Sequence, residues 1–174
     1  MAQSTFSGPV RSLSGFISQG PNAVANISTA TATLDVANYA GKIINVSAAT
    51  TTITLPAVNA SAYNPATGPG QDPNTLNNLG AIYTFFLPSA ATAVKVITGT
   101  GDFMLGSVSV ATDGGAASNY AANGTTIRSI NLDGSTKGGV KGSYFTIVAV
   151  AANTYLVQGE LIASGGTATP FATS

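Results

Sequence analysis

The sequence predicts an all-β protein: an antiparallel β-sandwich or jelly-roll-like fold with an extended N-terminal arm and a flexible C-terminal tail. Helical periodicity is almost absent from its 174 residues. Short stretches rich in Thr, Val and Ile, a composition typical of strands, recur along the chain. Gly, Pro and Asn separate them at the spacing of about 8–12 residues that is typical of sandwiches and barrels. No internal repeat is strong enough to indicate a solenoid.

The domain organisation follows from length and composition. A chain of this length suits one domain and can close a hydrophobic core without disulfides or metals. Residues 1–30 are rich in Ser and Gly and predict an extended arm, with one strand near residues 10–17. Residues 31–163 are predicted to form a single β domain, and residues 164–174 a flexible tail.

The first half of the domain predicts three strands and a long loop. TATLDVA (31–37) alternates, KIINV (42–46) and TTTITL (50–55) follow, and residues 47–49 predict a turn between them. Pro56 ends the third strand because proline has no N–H for the ladder. Residues 57–80 then form a proline-rich connection, and connections longer than about 12–15 residues are uncommon unless they are functional or disordered. A contact loop and a disordered surface insertion are equally good interpretations.

The second half predicts strands joined by tight turns. AIYTFFL (81–87) is typical of a buried strand, and AVKVIT (93–98) and FMLGSVSVA (103–111) follow it. Residues 143–150 and 154–162 predict a final hairpin. Three dipeptides suit type I′ turns, which need positive φ at both central residues. They are Asp113-Gly114, Asn123-Gly124 and Asp133-Gly134.

Charge is scarce, which limits the possible partners. Charged residues make up 7% of the chain, against roughly 25% in a typical soluble domain. Such a surface suits a protein packed against neighbours, although an uncharged monomer is an alternative. The six basic and six acidic residues are scattered. The absence of a basic stripe predicts that the protein binds neither nucleic acid nor an anionic membrane surface.

The residues that usually carry catalysis are missing. Without histidine and cysteine, the common nucleophile–histidine arrangements and soft-ligand zinc sites are excluded. Several acids precede glycine or proline and suit turns, so we expect no enzyme, no cofactor and no metal. A pair of catalytic carboxylates acting on a glycan stays open as an alternative, because strands can bring distant acids together. The N-terminus lacks the pattern of a secretory signal, and the longest apolar run (144–152) is too short for a membrane helix.

Four stretches carry a resemblance that spans nearly the whole chain. They are STFSGPVRSLSGF, TTTITLP, AIYTFFLP with VKVITGTGDFMLG, and NTYLVQGELIASGGTATPF. In this order they resemble small structural proteins of tailed-bacteriophage virions, including marine and cyanobacterial ones. That group contains capsid decoration (cement) proteins. The long insertion at 57–80 departs from the pattern, where a shorter link is expected.

The resemblance implies a function in assembly. A decoration protein is made in the bacterial cytoplasm, sits on the capsid surface and bridges major capsid protein subunits; by analogy it is a homotrimer. A tail, fibre or receptor-binding protein that contacts a host glycan or protein is the alternative, with the 57–80 loop as its tip. The termini are candidate tethers, although both could be disordered. The candidate contact residues are Phe6, Pro9, Tyr63, Pro69, Pro170 and Phe171.

Overall fold

The computed structural model describes residues 23–61 and 77–174, and these contain twelve strands and one short helix. The helix is α1 (Val36–Tyr39). The strands are β1 (Val24–Ile27), β2 (Thr31–Thr33), β3 (Ile43–Val46), β4 (Thr50–Thr54), β5 (Ile82–Phe86), β6 (Ala93–Ile97), β7 (Phe103–Thr112), β8 (Ala117–Asn123), β9 (Ser129–Leu132), β10 (Tyr144–Ala151), β11 (Thr154–Ala163) and β12 (Phe171–Ala172).

The strands form two mixed sheets. Sheet A has seven strands in the order β1-β3-β5-β10-β11-β7-β8, and sheet B has five in the order β12-β9-β6-β4-β2. The all-β prediction is confirmed, but the sheets are not purely antiparallel. Parallel pairs join β1, β3 and β5 in sheet A and β2, β4 and β6 in sheet B, and β7 also runs parallel to β11.

The parallel pairs arise because successive strands from β1 to β6 alternate between the two sheets. Each pair of strands, one from each sheet, makes one coil of the chain, so three coils stack through parallel pairing. The corners stack as well: the Ser47 N–H donates to the Ile27 carbonyl (2.9 Å) and the Thr92 N–H to the Ala49 carbonyl (2.7 Å). Residues 47–49 are therefore a corner between sheets and not a hairpin turn.

The coils differ in length. Val24 pairs with Ile43, nineteen residues later, and Thr31 pairs with Thr52, twenty-one residues later. From the second coil to the third the offset grows to forty-one residues, as Ile43 pairs with Thr84. The predicted 57–80 loop supplies the additional length, and its central part, 62–76, lies outside the described residues.

A capped helical turn replaces part of the predicted 31–37 strand. Asp35 is the N-cap of α1, and its side chain accepts a hydrogen bond from the Asn38 N–H (2.7 Å). Aspartate favours this position because its carboxylate satisfies a free N–H of the first turn. The strand therefore ends at Thr33, and α1 begins the return from sheet B to sheet A.

Hairpins dominate the second half. Asp113-Gly114 lies in the turn between the antiparallel strands β7 and β8, and β10 and β11 form the predicted C-terminal hairpin. The predicted type I′ conformation is wrong, because only the glycine of each dipeptide has positive φ, and Asp113, Asn123 and Asp133 do not. Asn153 closes that hairpin with a positive φ of 55°, a conformation that asparagine tolerates better than most residues. The Asn123-Gly124 and Asp133-Gly134 dipeptides lie on either side of an eight-residue segment typical of a strand, but only Ser129–Leu132 of it forms a strand, β9.

One buried cluster joins the two sheets. Leu55, Val96 and Ile130 contribute from sheet B or its strand ends, and Tyr83, Phe85 and Phe145 are among the contributors from sheet A. The Phe85 and Phe145 rings stack at 4.9 Å between centroids. Buried and more exposed positions alternate along strands such as β5 and β10. Each sheet therefore has an outer face directed away from the cluster.

The chain end belongs to sheet B, where the sequence predicts a flexible tail. β12 pairs antiparallel with β9, and the Asn131 N–H donates to the Pro170 carbonyl (2.8 Å). The Ser129 hydroxyl also donates to the Ser174 carbonyl (3.0 Å). The predicted N-terminal arm likewise overlaps a strand, because β1 falls within residues 1–30. The strand predicted near residues 10–17 lies outside the described residues.

Candidate functional site

The outer face of sheet A carries rows of exposed apolar side chains among uncharged polar ones. Among the described residues, the exposed large hydrophobic side chains lie on sheet A strands, apart from Leu79, which lies just before β5. Their exposed fractions run from 38% for Val24 to 47% for Ile43. They are Val24, Ile43, Leu79, Ile82, Leu105, Tyr144 and Val150.

The strand register assembles these side chains into rows. One row crosses four neighbouring strands, β5, β10, β11 and β7, with a large aliphatic residue on each. A second row places Phe86 beside Tyr144, and Val24 lies beside Ile43. The four-strand row is Ile82, Val148, Leu156 and Leu105.

Polar groups on this face are almost uncharged. Thr84 and Thr146 lie in the middle, with their hydroxyl oxygens 3.4 Å apart. Glu160, the partner of Tyr144 in the ladder, is the one charged side chain at the outward positions of the described sheet A strands. The polar row continues through Gln158 on β11 to Ser107 on β7, so it separates the two apolar rows. Exposed apolar rows of this kind mark an interaction surface more often than a solvated one.

The outer face of sheet B is a threonine surface. Its outward positions include two T-x-T pairs in register, since Thr31 pairs with Thr52 and Thr33 with Thr54. A depression of about 360 Å³ lies beside them, and its polar lining includes Lys95. The other polar lining residues are Thr50, Thr52, Thr92, Asn131, Asp133 and Lys137.

The Asp133 turn forms one wall of that depression. Its carboxylate accepts hydrogen bonds from the N–H groups of Ser135, Thr136 and Lys137 and from the Thr136 hydroxyl, at 2.8–3.0 Å. Burial opposes ionisation of this carboxyl, but these hydrogen bonds outweigh it and lower the pKa of Asp133. The carboxylate therefore has a structural role in the turn.

Asparagine side chains close the base of the 57–80 loop, which we call the neck (57–61 and 77–80). The Asn59 N–H donates to the Asn78 side-chain oxygen (2.8 Å), and the Asn78 N–H donates to the Asn59 carbonyl (2.9 Å). The Asn77 amide donates to the Ser61 carbonyl (2.9 Å). The chain thus leaves the neck and re-enters it at neighbouring points.

A buried carboxyl supports the neck from below. Asp102 is 2% exposed and accepts a hydrogen bond from the Val58 N–H (2.8 Å). Burial raises the pKa of Asp102, although the Val58 hydrogen bond and the positive charge of Arg128 lower it. Arg128 itself donates to the Gly99 carbonyl (3.1 Å). The hydrogen bond from Val58 thus makes Asp102 a structural residue that holds the chain where it enters the loop.

Two tyrosines lie in the core and keep their protons. Burial, with a smaller contribution from Asp35, raises the pKa of Tyr83 to about 12. Burial also raises the pKa of Tyr155, whose hydroxyl donates to the Pro56 carbonyl (2.7 Å). Neither hydroxyl is placed at the surface for chemistry.

The predicted contact residues fall into two groups. Phe6, Pro9, Tyr63 and Pro69 lie outside the described residues. Pro170 and Phe171 are buried, and Phe171 is only 7% exposed. These two side chains are therefore used inside the chain, because β12 turns the chain end into sheet B.

Sequence reasoning missed the apolar face of sheet A. AIYTFFL and YFTIVAV are apolar at both alternating sets of positions, which fits a strand buried on both faces. The structure buries only one set: Tyr83 and Phe85 point inward, while Ile82 is 44% exposed. The sequence predicts no helices that could cover the second face of these strands. An exposed apolar face could therefore have been predicted from them.

Searches for a metal site, a membrane-spanning helix and known relatives point to no function. Within residues 23–61 and 77–174, no group of three or more acidic side chains could hold a metal ion. No helix in these ranges has the length and apolar character to cross a bilayer. No family model, curated protein or solved structure matches the chain.

Proposed function

We propose that this chain is a structural protein of a tailed-bacteriophage virion that decorates the capsid and bridges major capsid protein subunits. The observation that carries the proposal is the outer face of sheet A, which exposes large hydrophobic side chains and is nearly uncharged within the described residues. Burying such a face against neighbours is favourable by about 25 cal/mol per Å² of apolar area. In a lattice of copies this face would be covered by a neighbouring copy, which leaves the outer face of sheet B directed towards the capsid.

The rest of the exterior supports the same function. The outer face of sheet B offers threonine hydroxyls and two lysines in place of dense charge. In fold terms we propose a β-sandwich, supported by the single buried cluster to which both sheets contribute. The chain end locked into sheet B by β12 adds rigidity of the kind a reinforcing protein needs.

Particles produced from the genome that encodes the chain provide the test. We expect the chain in purified virions at a stoichiometry comparable to that of the major capsid protein, with density spread over the head. Its binding to shells should change little between low and moderate salt, because few charges are available to be screened. Absence from virions, or a steep loss of binding with salt, would contradict the proposal.

The neck favours a second candidate, a tail or receptor-binding protein. Its asparagine hydrogen bonds hold the two ends of the long loop together, so the loop can be presented as one unit. Density confined to the tail would support this candidate. Deletion of 62–76 would then abolish adsorption to the host while leaving head stability unchanged.

A further inference from the structure

We propose that the outer face of sheet A binds a second copy of this chain, face on face, about a two-fold axis. The proposal goes beyond the proposed function, because it concerns the contact between two copies and does not depend on a particle. The carrying observation is again the concentration of exposed large hydrophobic side chains on one sheet.

The size of the face suits a dimer. The six exposed hydrophobic side chains on sheet A strands together present on the order of 500 Å² of surface, within the range of the largest apolar patch on a typical monomer. Half-buried neighbours such as Phe86, Val148 and Leu156 lie between them. With these included, the face approaches the roughly 800 Å² per partner of a standard stable interface.

The small number of charges on the outer face of sheet A allows this face to pack against the same face of a second copy. Glu160 is the one charged group at the outward positions of the described sheet A strands, so two apposed faces bring together only two carboxylates. These lie off centre on β11, while the centre of the face holds the neutral Thr84–Thr146 pair. A suitable axis can therefore keep the two carboxylates apart.

The register identifies such an axis, parallel to the strands and between β5 and β10. It sets β5 against β10 and β3 against β11 of the second copy. Ile82 then faces Val148, and Phe86 faces Tyr144, because each pair shares a row of the ladder. Sheets packed in this way lie about 10 Å apart and cross at about 30°, so the rows match best near the centre.

Glu160 gains a partner in this arrangement. It lies in the row that continues through Tyr144 and Phe86 to Asn45 on β3. The axis therefore places Glu160 opposite Asn45 of the second copy, whose amide N–H can donate to the carboxylate. A hydrogen bond to a charged acceptor is stronger than a neutral one, and this contact would fix the register of the two faces.

The outer face of sheet B is the poorer dimer surface. Its threonine hydroxyls are solvated in the monomer, and a face-on-face contact would also bury the charges of Lys95, Lys137 and Asp133, which line the same depression. Sheet B therefore provides the matched control face for the experiment.

Sedimentation equilibrium of the full chain from about 1 μM to about 100 μM covers the dissociation constants expected for such an interface. We expect a dimer. The double variant I43T/I82T should weaken it by about tenfold or more, because it removes exposed apolar surface at β-branched positions that keep the strand propensity. The control T52V on sheet B should leave the dissociation constant unchanged.

Cysteine scanning locates the contact independently, because the chain contains no cysteine. A short bis-maleimide should link copies of T146C into dimers at low micromolar concentration and should not link T52C. Wild-type chain that stays monomeric throughout the range would overturn the proposal. So would equal cross-linking of both variants, an odd-numbered oligomer, or a dimer that I43T/I82T leaves intact. Virion stoichiometry tests the proposed function separately, so the two failures are distinguishable.

Discussion

Two halves of the molecule build the same pair of sheets in different ways. From β1 to β6 the chain alternates between sheets, so neighbours within a sheet are parallel and come from successive coils. From β7 to β12 the chain uses hairpins such as β7–β8 and β10–β11. The coil half depends on regular alternation of inward side chains, whereas the hairpin half depends on glycines at turns and close approaches. Point substitutions should separate these two dependences.

The largest expected effect is in the hairpin half, at Gly159. A Cβ there would lie 2.5 Å from the Phe145 Cα and from the Tyr144 carbonyl oxygen, both on the paired strand β10. Because backbone cannot give way easily, G159A should lower the free energy of unfolding by about 3 kcal/mol or more. Chemical denaturation measures this loss.

Gly166 provides the control for that substitution. A Cβ there meets nothing within 4 Å, so G166A should change stability by less than about 0.5 kcal/mol. Equal effects at the two glycines would show that the hairpin half does not depend on close backbone approach.

Core truncations compare the two halves directly. Ile53 in β4 and Ile130 in β9 are both 0% exposed and belong to one cluster. I53A and I130A should each cost about 3 kcal/mol, through lost burial and a cavity. Both should keep a single cooperative transition in calorimetry, because the halves share a core. Two separated transitions in either variant would instead make the coil half and the hairpin half independent folding units.

Substitution of Asp133 tests how much the turn that follows β9 contributes to the free energy of unfolding. D133A removes the acceptor of three N–H groups and a hydroxyl, and it should cost about 1–2 kcal/mol at pH 7. The lowered pKa means that the folded state binds fewer protons, so this stability is present above the unfolded pKa of about 3.9 and is lost as pH falls below it. D133N keeps one acceptor oxygen and should lose less. Unfolding curves recorded between pH 7 and pH 3 provide the measurement.

Asp102 should show the opposite pH dependence, with the smallest effect. Its pKa is raised in the folded state, so ionisation destabilises the protein as pH rises from the unfolded pKa through the raised one. D102N keeps an acceptor for the Val58 N–H and removes the buried charge. It should therefore raise stability at pH 7 by up to about 1 kcal/mol and flatten the acid side of the profile. Destabilisation by D102N at pH 7 would show that the attraction to Arg128 outweighs burial.

The strands and turns of the hairpin half were predicted from the sequence more accurately than those of the coil half. Asp113-Gly114 identified the β7–β8 turn, because a tight turn is encoded by the residues that form it. The coil half was predicted as antiparallel strands, because parallel pairing depends on partners about twenty residues away. A signal was present: VANIS (24–28) resembles IINVS (43–47), and TATL (31–34) resembles TITL (52–55). These short matches coincide with the register that the structure shows.

The candidate site was only partly predictable for a related reason. Scarce charge indicated a surface made for neighbours, but no local pattern says which face of a strand is covered. Phe171 illustrates the limit: a late aromatic residue in a Gly- and Thr-rich tail fits a tether, yet it returns to the core through pairing of β12 with β9. Pairing between distant segments decides exposure, and it cannot be inferred from composition.

Because the neck is closed by hydrogen bonds between its two ends, the length and sequence of the segment between them can change. Its two ends meet through Asn59 and Asn78, and the ladder pairs that join the second coil to the third lie within residues 43–54 and 84–97. Loop-closure entropy grows only slowly with length, so a longer or shorter segment between these ends costs the fold little. The neck is thus an insertion point at which sequence can diversify, or a foreign peptide can be displayed, while the stacked coils keep their register.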